Sequence, residues 1–264
     1  MRTIALKFIT SLLVVFYLSG ISTSALAADN QIVRFKGKVK YLANLDTYVL
    51  RSDDNRRFHP SKRLPEAFRQ DTLEVVVEGK LREDLYGRNM YGTALEVLAI
   101  YPADSYISPE DQQAIALTLK RMEAFNTKDL NKLQQIDVLA QNLTTEKFQS
   151  WFGSGNYQFT LHYLETDIPS GQFNEGAPIT GFCLYSRDIV NGMALSGNSQ
   201  YSLMKFTIAK VDGTWKFTAT GNYIPENDID PNQFVDELLK KSQKKYGTSN
   251  LAEWTSSRSE LKHN

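Results

Sequence analysis

Side chains able to do chemistry are few in this chain, and their spacing limits what that chemistry can be. Proton transfer needs a positioned acid or base with a tuned pKa, and a second polar group to hold the developing charge. The three histidines, His59, His162 and His263, lie far apart and have no cysteines near them. That spacing makes no metal-ligand set, and no cofactor motif accompanies it, so neither metal nor cofactor is expected. His162 falls on the opposite parity from Tyr157, Phe159, Leu161 and Tyr163, while Glu165, Arg187 and Asp188 fall at strand ends. No titratable partner is set beside His162 by spacing, so no catalytic residue is assigned.

Binding chemistry is better represented. Tyr157, Phe159 and Tyr163 share one strand parity, and Phe217 lies on the inner parity of a later strand, so these four are the candidate lining for an apolar ligand. A loop from Asp84 to Gly92 carries Tyr86, Arg88, Met90 and Tyr91, the large apolar and cationic types that dominate contact hot spots. These four are the candidate partner-binding residues. The single cysteine, Cys183, lies among Gly181, Phe182, Leu184 and Tyr185 and is expected to be buried as a small hydrophobe.

The elements that must position these residues divide by period. From Ile32 to Tyr101 the chain alternates with period two, as half-buried strands do. Val33, Phe35, Val39 and Tyr41 take one parity, and Arg34, Lys36, Lys38 and Lys40 the other. A hairpin turns through Ser52-Asp53-Asp54-Asn55, Pro60 stops the ladder, and two further strands run over 73–82 and 93–101. Five short strands in about 70 residues, with Gly37 and Gly79 at mid-strand kinks, predict a small closed barrel over 31–103. This half resembles an OB-fold barrel, on its strand count, its two kink glycines and its Arg63-Leu64-Pro65 loop.

After residue 107 the period becomes helical. Ser108, Pro109 and Asp111 form a helix start, and Ile115, Leu119, Met122 and Phe125 line one face. Shorter helices over 128–136 and 144–152 precede four strands at 156–165, 179–188, 199–211 and 214–223, the last two joined by Asp212-Gly213. Helices first and four antiparallel strands after, ending in Asp212-Gly213-Thr214-Trp215-Lys216-Phe217, resemble the nuclear transport factor 2-like superfamily, which includes the ketosteroid isomerase and SnoaL branches. The resemblance implies a helix-plus-curved-sheet cone with a pocket over 108–224. It also implies that catalytic relatives carry an acid or histidine inside the cone, a pattern this sequence lacks. An amphipathic helix over 230–247 follows, capped by Asp230 and stopped by Gly247, and 248–264 reads as a polar tail.

The reading is therefore an α+β, two-domain chain that binds and does not catalyse, with an isomerase- or hydrolase-like use of the cone as the alternative. Its expected partner is a protein or a small apolar ligand, and a homodimer is left open. Lys+Arg and Asp+Glu number 30 each, and the barrel half carries 13 against 12 over residues 28–104. That balance lacks the positive excess that phosphate backbones require, so nucleic acid is excluded.

Residues 1–27 read as an export signal, with Arg2 and Lys7, an apolar run over 9–21, and Ala25-Leu26-Ala27 before the cleavage point. The expected address is the periplasm or the exterior, with no membrane anchor after cleavage. Intact-mass measurement of the exported protein should give an N-terminus at Ala28 and 237 residues from the 264 encoded. Retention of Met1 would reverse this reading.

Overall fold

The computed structural model describes residues 32–82, 91–168, 171–172, 176–191, 194–195, 200–225 and 230–261. The expected export signal at 1–27 lies outside them, as do Tyr86, Arg88 and Met90. The fold is α+β, a small closed barrel followed by a second, curved sheet with helices.

The barrel strands are β1 (Ile32–Leu42), β2 (Thr47–Ser52), β3 (Arg57–Pro60), β4 (Glu74–Leu81) and β5 (Thr93–Pro102). They close in the order β1-β2-β3-β5-β4-β1, and every pairing is antiparallel except β3 with β5. β1 closes the ring because it pairs with β4 along its first half and β2 along its second, and both partners meet at Gly37, opposite Val75 and Ser52. A Cβ at Gly37 would stand 2.2 Å from the Arg51 carbonyl oxygen, so only glycine lets β2 approach this closely. The kink near Gly79 is answered on β5, where Leu98 is the extra residue of a bulge. Inward alternation then fills the barrel with Val33, Phe35, Val39, Leu50, Phe58, Leu64, Val75, Val77 and Leu95. Phe35 and Phe58 stack at its centre, 4.5 Å apart.

The second sheet runs in the order β11 (Thr214–Asn222), β10 (Gln200–Val211), β8 (Ile179–Asn191) and β6 (Tyr157–Thr166), all antiparallel, and the short β9 (Ala194–Leu195) pairs with β8. Its helices are α1 (Pro109–Asn126), α2 (Leu130–Ile136), α3 (Thr145–Ser150), α4 (Pro231–Tyr246) and α5 (Leu251–Leu261). The cap expected for α1 forms as a full capping box, with Ser108 Oγ accepting from the Asp111 N–H and the Asp111 carboxylate accepting from the Ser108 N–H. Asp212 and Gly213 both take positive φ in the β10–β11 turn, the geometry a two-residue hairpin of this twist requires. Ala114, Ile115 and Leu117 of α1 pack with Leu161, Cys183, Leu184, Phe206, Ile208 and Phe217 of the sheet in one core. A separate cluster of Ala124, Leu133, Ala140, Phe148 and Phe152 closes the end of α1 against α2 and α3.

A polar tail over 248–264 is corrected at residues 251–261, which form α5. The helix has a local cause: Asn250 Oδ1 accepts from the Ala252 N–H, and Thr248 Oγ1 accepts from the Asn250 N–H. Its first residue, Leu251, is fully buried, and Trp254 packs edge-on against Tyr246 of α4. Two apolar residues with a cap between α4 and α5 suffice to dock an otherwise polar segment.

β6 is the edge of its sheet, and an edge strand exposes backbone groups that would pair with any other strand. Here side chains occupy those of four residues. Asn126 at the end of α1 donates to the Phe159 carbonyl and accepts from the Phe159 N–H, at 3.1 and 2.7 Å. Ser242 donates to the His162 carbonyl, and Tyr246 to the Leu164 carbonyl. Asp111 accepts from both the N–H and the hydroxyl of Thr166 at 2.9 and 2.8 Å, and its other oxygen accepts from Lys245 Nζ at 2.9 Å. Asp111 thus joins the start of α1, the end of β6 and the end of α4 through one buried carboxylate.

The barrel and the second sheet also touch. Arg34 on β1 bonds Glu78 on β4 at 2.8 Å and Glu110 in the first turn of α1 at 2.7 Å. The Tyr106 hydroxyl donates to the same Glu78, and β7 (Gly171–Gln172) pairs with Val33 and Arg34. Lys244 of α4 is ion-paired with Asp104.

Because Lys245 and Asp111 are both largely out of water, removing the carboxylate strands a buried ammonium and unties three elements. Asp111→Ala is expected to cost about 3 to 5 kcal/mol in a urea unfolding experiment. A loss below about 1 kcal/mol, the range of surface ion pairs, would mean that the junction holds nothing together.

Candidate functional site

The aromatics expected to line one ligand cavity are buried or half-buried among packed side chains. Phe159 joins Phe125, Phe148 and Phe152 in a cluster of tilted and edge-on rings. Tyr157 lies at the margin of that cluster with the Arg187 guanidinium 4.9 Å from its ring centre. Phe217 is fully buried in the sheet core, against Phe206. Tyr163 packs against Phe182 and Tyr246, and its hydroxyl donates to Glu165 at 2.7 Å. Burial, and then the Glu165 charge, push that phenol well above its ordinary range, so it stays a neutral donor. Phe159 and Phe217 are bridged through Phe125 and Arg121, while Tyr163 and Phe217 belong to one core cluster.

Parity failed at one residue. His162 is the extra residue of a bulge between Leu161, opposite Tyr185, and Tyr163, opposite Leu184. Beyond it the alternation of β6 is offset by one, which carries Tyr163 away from the side that Phe159 and Leu161 share. The same bulge brings His162 to a serine and, through it, to a carboxylate that spacing does not place beside it. Its Nε2 is 2.9 Å from Ser186 Oγ, which is 3.0 Å from Asp188 Oδ2, while Nδ1 is 2.6 Å from the Ser249 carbonyl oxygen. Nothing in the spacing of 162, 186 and 188 announces the group, because it depends on the bulge and on a cross-strand register.

Hydrogen-bond chemistry settles what the group can do. A carbonyl only accepts, so Nδ1 carries the proton, and Nε2 and Asp188 Oδ2 compete for the single hydroxyl proton of Ser186. A base beside a hydroxyl is the beginning of nucleophile activation, but in such sites the carboxylate orients the imidazole. Here Asp188 faces the serine and a backbone carbonyl holds the ring. Ser186 is 1% exposed and Asp188 6%, so neither is open to a substrate. The three residues tie β6, β8 and the segment between α4 and α5 together.

Between α1 and the sheet, the one large charged group is Arg121. Its guanidinium lies 5.1 and 5.2 Å from the ring centres of Phe125 and Phe217. Nε donates to Asp137 at 3.1 Å and Nη1 reaches Met204 Sδ. Asp137 is itself buried and caps the short helical turn at Val138–Ala140 by accepting from the Leu139 N–H. Cation and carboxylate neutralise one another inside an aromatic sleeve, an arrangement that satisfies both and leaves neither as a general acid or base. Cys183 is fully buried, and that burial pushes its thiol up to about 12. It is therefore a packing residue with no thiolate at neutral pH.

On the barrel, Tyr91 is the one partner-binding candidate within the described residues. Its ring lies 5.2 Å from the Arg57 guanidinium on β3. Gly92 follows with φ +79°, and a Cβ there would come 2.0 Å from the Arg57 carbonyl oxygen, so the chain is pressed onto β3 at this point. Among the described residues no three His, Cys, Asp or Glu side chains converge as metal ligands.

No protein-family model matches this chain, and no curated protein matches it. Among solved structures, an uncharacterized protein with a cystatin-like fold from Caulobacter vibrioides matches 49% of this chain and 96% of its own, at 12% identity and a TM-score of 0.34. The Bdellovibrio bacteriovorus protein Bd1075 matches 75% of this chain and 78% of its own, at 10% identity and a TM-score of 0.30. Neither likeness assigns an activity to this chain.

Burial is the largest influence on His162 and holds its pKa below the ordinary 6.5, against the opposing pull of the Ser249 carbonyl and the Asp188 charge. The folded ring then protonates less readily than the unfolded one, so folding stability should fall as pH drops from about 6.5 toward the folded pKa. His162→Gln should flatten that part of the stability-against-pH curve measured by urea unfolding. An unchanged slope would place the titration on another group.

Proposed function

We propose that this is an exported, non-catalytic binding or adaptor protein that recognises a protein partner through its barrel. The observation that carries the reading is the contrast between the two halves. Around the second sheet, Arg121, Asp137, His162 and Asp188 are each engaged by neighbouring side chains or backbone, whereas the barrel presents Arg57 and Tyr91 together on its outer surface. A strand order of β1-β2-β3-β5-β4-β1 with β3 parallel to β5 supports the OB-fold-like reading of the barrel. Helices preceding a curved antiparallel sheet support the nuclear transport factor 2-like reading of 108–224. On this reading the two halves are separate domains, and the second serves as a rigid support.

Immobilised mature protein, cross-linked in extracts and analysed by mass spectrometry, should give partner contacts on the barrel. Tyr86→Ala with Tyr91→Ala should reduce capture by about tenfold or more, as the loss of paired hot-spot rings does. A measurable turnover that His162→Ala abolishes with the fold intact would replace this reading with the isomerase- or hydrolase-like alternative.

A further inference from the structure

The register of the barrel sheet sets three cations side by side. Lys38 on β1 is directly opposite Arg51 on β2, and Arg51 is directly opposite Arg57 on β3. Directly opposed residues project from the same face, and neighbouring strands are about 4.8 Å apart. The three side chains therefore make a row crossing three strands, and all three residues are exposed. Like charges opposite one another destabilise a sheet, so such a row persists at a cost to the fold.

Among the described residues, little offsets that charge. Arg51 donates to Asn55 Oδ1 at 2.7 Å, a bond that orients the guanidinium and leaves its charge intact. Arg57 is held over the Tyr91 ring. Lys38 pairs with Glu74 at 3.3 Å, but both side chains are more than half exposed, and pairs of that kind contribute little. Lys36 and Lys40 continue the outer parity of β1 on either side of Lys38.

We propose that the row Lys38, Arg51 and Arg57, closed at one end by Tyr91, docks a short acidic peptide segment of a protein partner. The proposal rests on the binding-protein reading above and names its partner class. Two features favour a peptide over a nucleic-acid strand. The row ends at Glu74, which is opposite Lys38 on β4 and would repel a phosphate track continuing in that direction. Stacking of successive bases also needs several open rings, whereas Tyr91 already lies under Arg57. Carboxylates of a peptide suit the site better, because two arginines can each take one in a two-pronged bond.

The test uses the full mature chain and a fluorescein-labelled hexa-aspartate peptide, followed by anisotropy at low salt. Saturable binding is expected, weakened about tenfold or more by Arg51→Gln with Arg57→Gln and unaffected by Lys62→Gln, with thermal unfolding of each variant checked by circular dichroism. Equal binding by the double variant overturns the proposal. So does binding of a labelled oligothymidylate of equal charge at least as tightly as the peptide. If wild-type and double-variant protein capture the same partner equally, the row is not the docking site and the binding-protein reading stands. If the wild type captures no partner, that reading itself falls.

Discussion

A strand at the edge of a sheet has a row of donors and acceptors that must be satisfied without inviting another strand, and β6 meets that requirement at four residues with side chains. Asn126 covers Phe159, Ser242 and Tyr246 cover the carbonyls of His162 and Leu164, and Asp111 covers Thr166. Those caps come from the two ends of α1 and from the last turns of α4. The positions of both helices against the sheet follow from the backbone groups they serve. Once Asp111 is committed to Thr166 and Lys245, the start of α1 cannot move without exposing a buried ion pair.

The same economy governs the buried ionisable groups described in the second half. Arg121 and Asp137 meet between Phe125 and Phe217, where an unpaired charge would be costly, and each spends its charge on the other. His162 spends its two ring nitrogens on a carbonyl and a serine. These ionisable groups hold elements together, while on the barrel Lys38, Arg51 and Arg57 stay exposed.

Much of this architecture is legible in the sequence wherever a local rule operates. Ser108-Pro109 with Asp111, Asp230-Pro231 with Gly247, and Asp212-Gly213 each announce an element boundary, because caps and tight turns depend on residues within a few positions of one another. The barrel is legible from period two and two glycines. What escapes is whatever depends on register between distant strands. One bulged residue at 162 breaks the parity on which the ligand-lining candidates rested and gathers His162, Ser186 and Asp188 from two strands. Helix α5 escapes for a different reason: it is polar along most of its length, and Leu251 and Trp254 dock it. Arg51 and Arg57 are six apart in the chain and unremarkable there, yet the hairpin sets them face to face.

The order in which the chain is synthesised interacts with the caps on β6. All five barrel strands are complete by residue 102, so that ring can close while the remainder is still emerging. β6 and β8 are complete by residue 191, but two of the side chains that cover the outer edge of β6, Ser242 and Tyr246, come some fifty residues later. During that interval a nascent chain presents a long strand with half of its edge bare, the state most prone to pairing with a neighbouring nascent chain. The last helices of this protein thus end a period of vulnerability during its biogenesis, and truncated products lacking them would be the aggregation-prone ones.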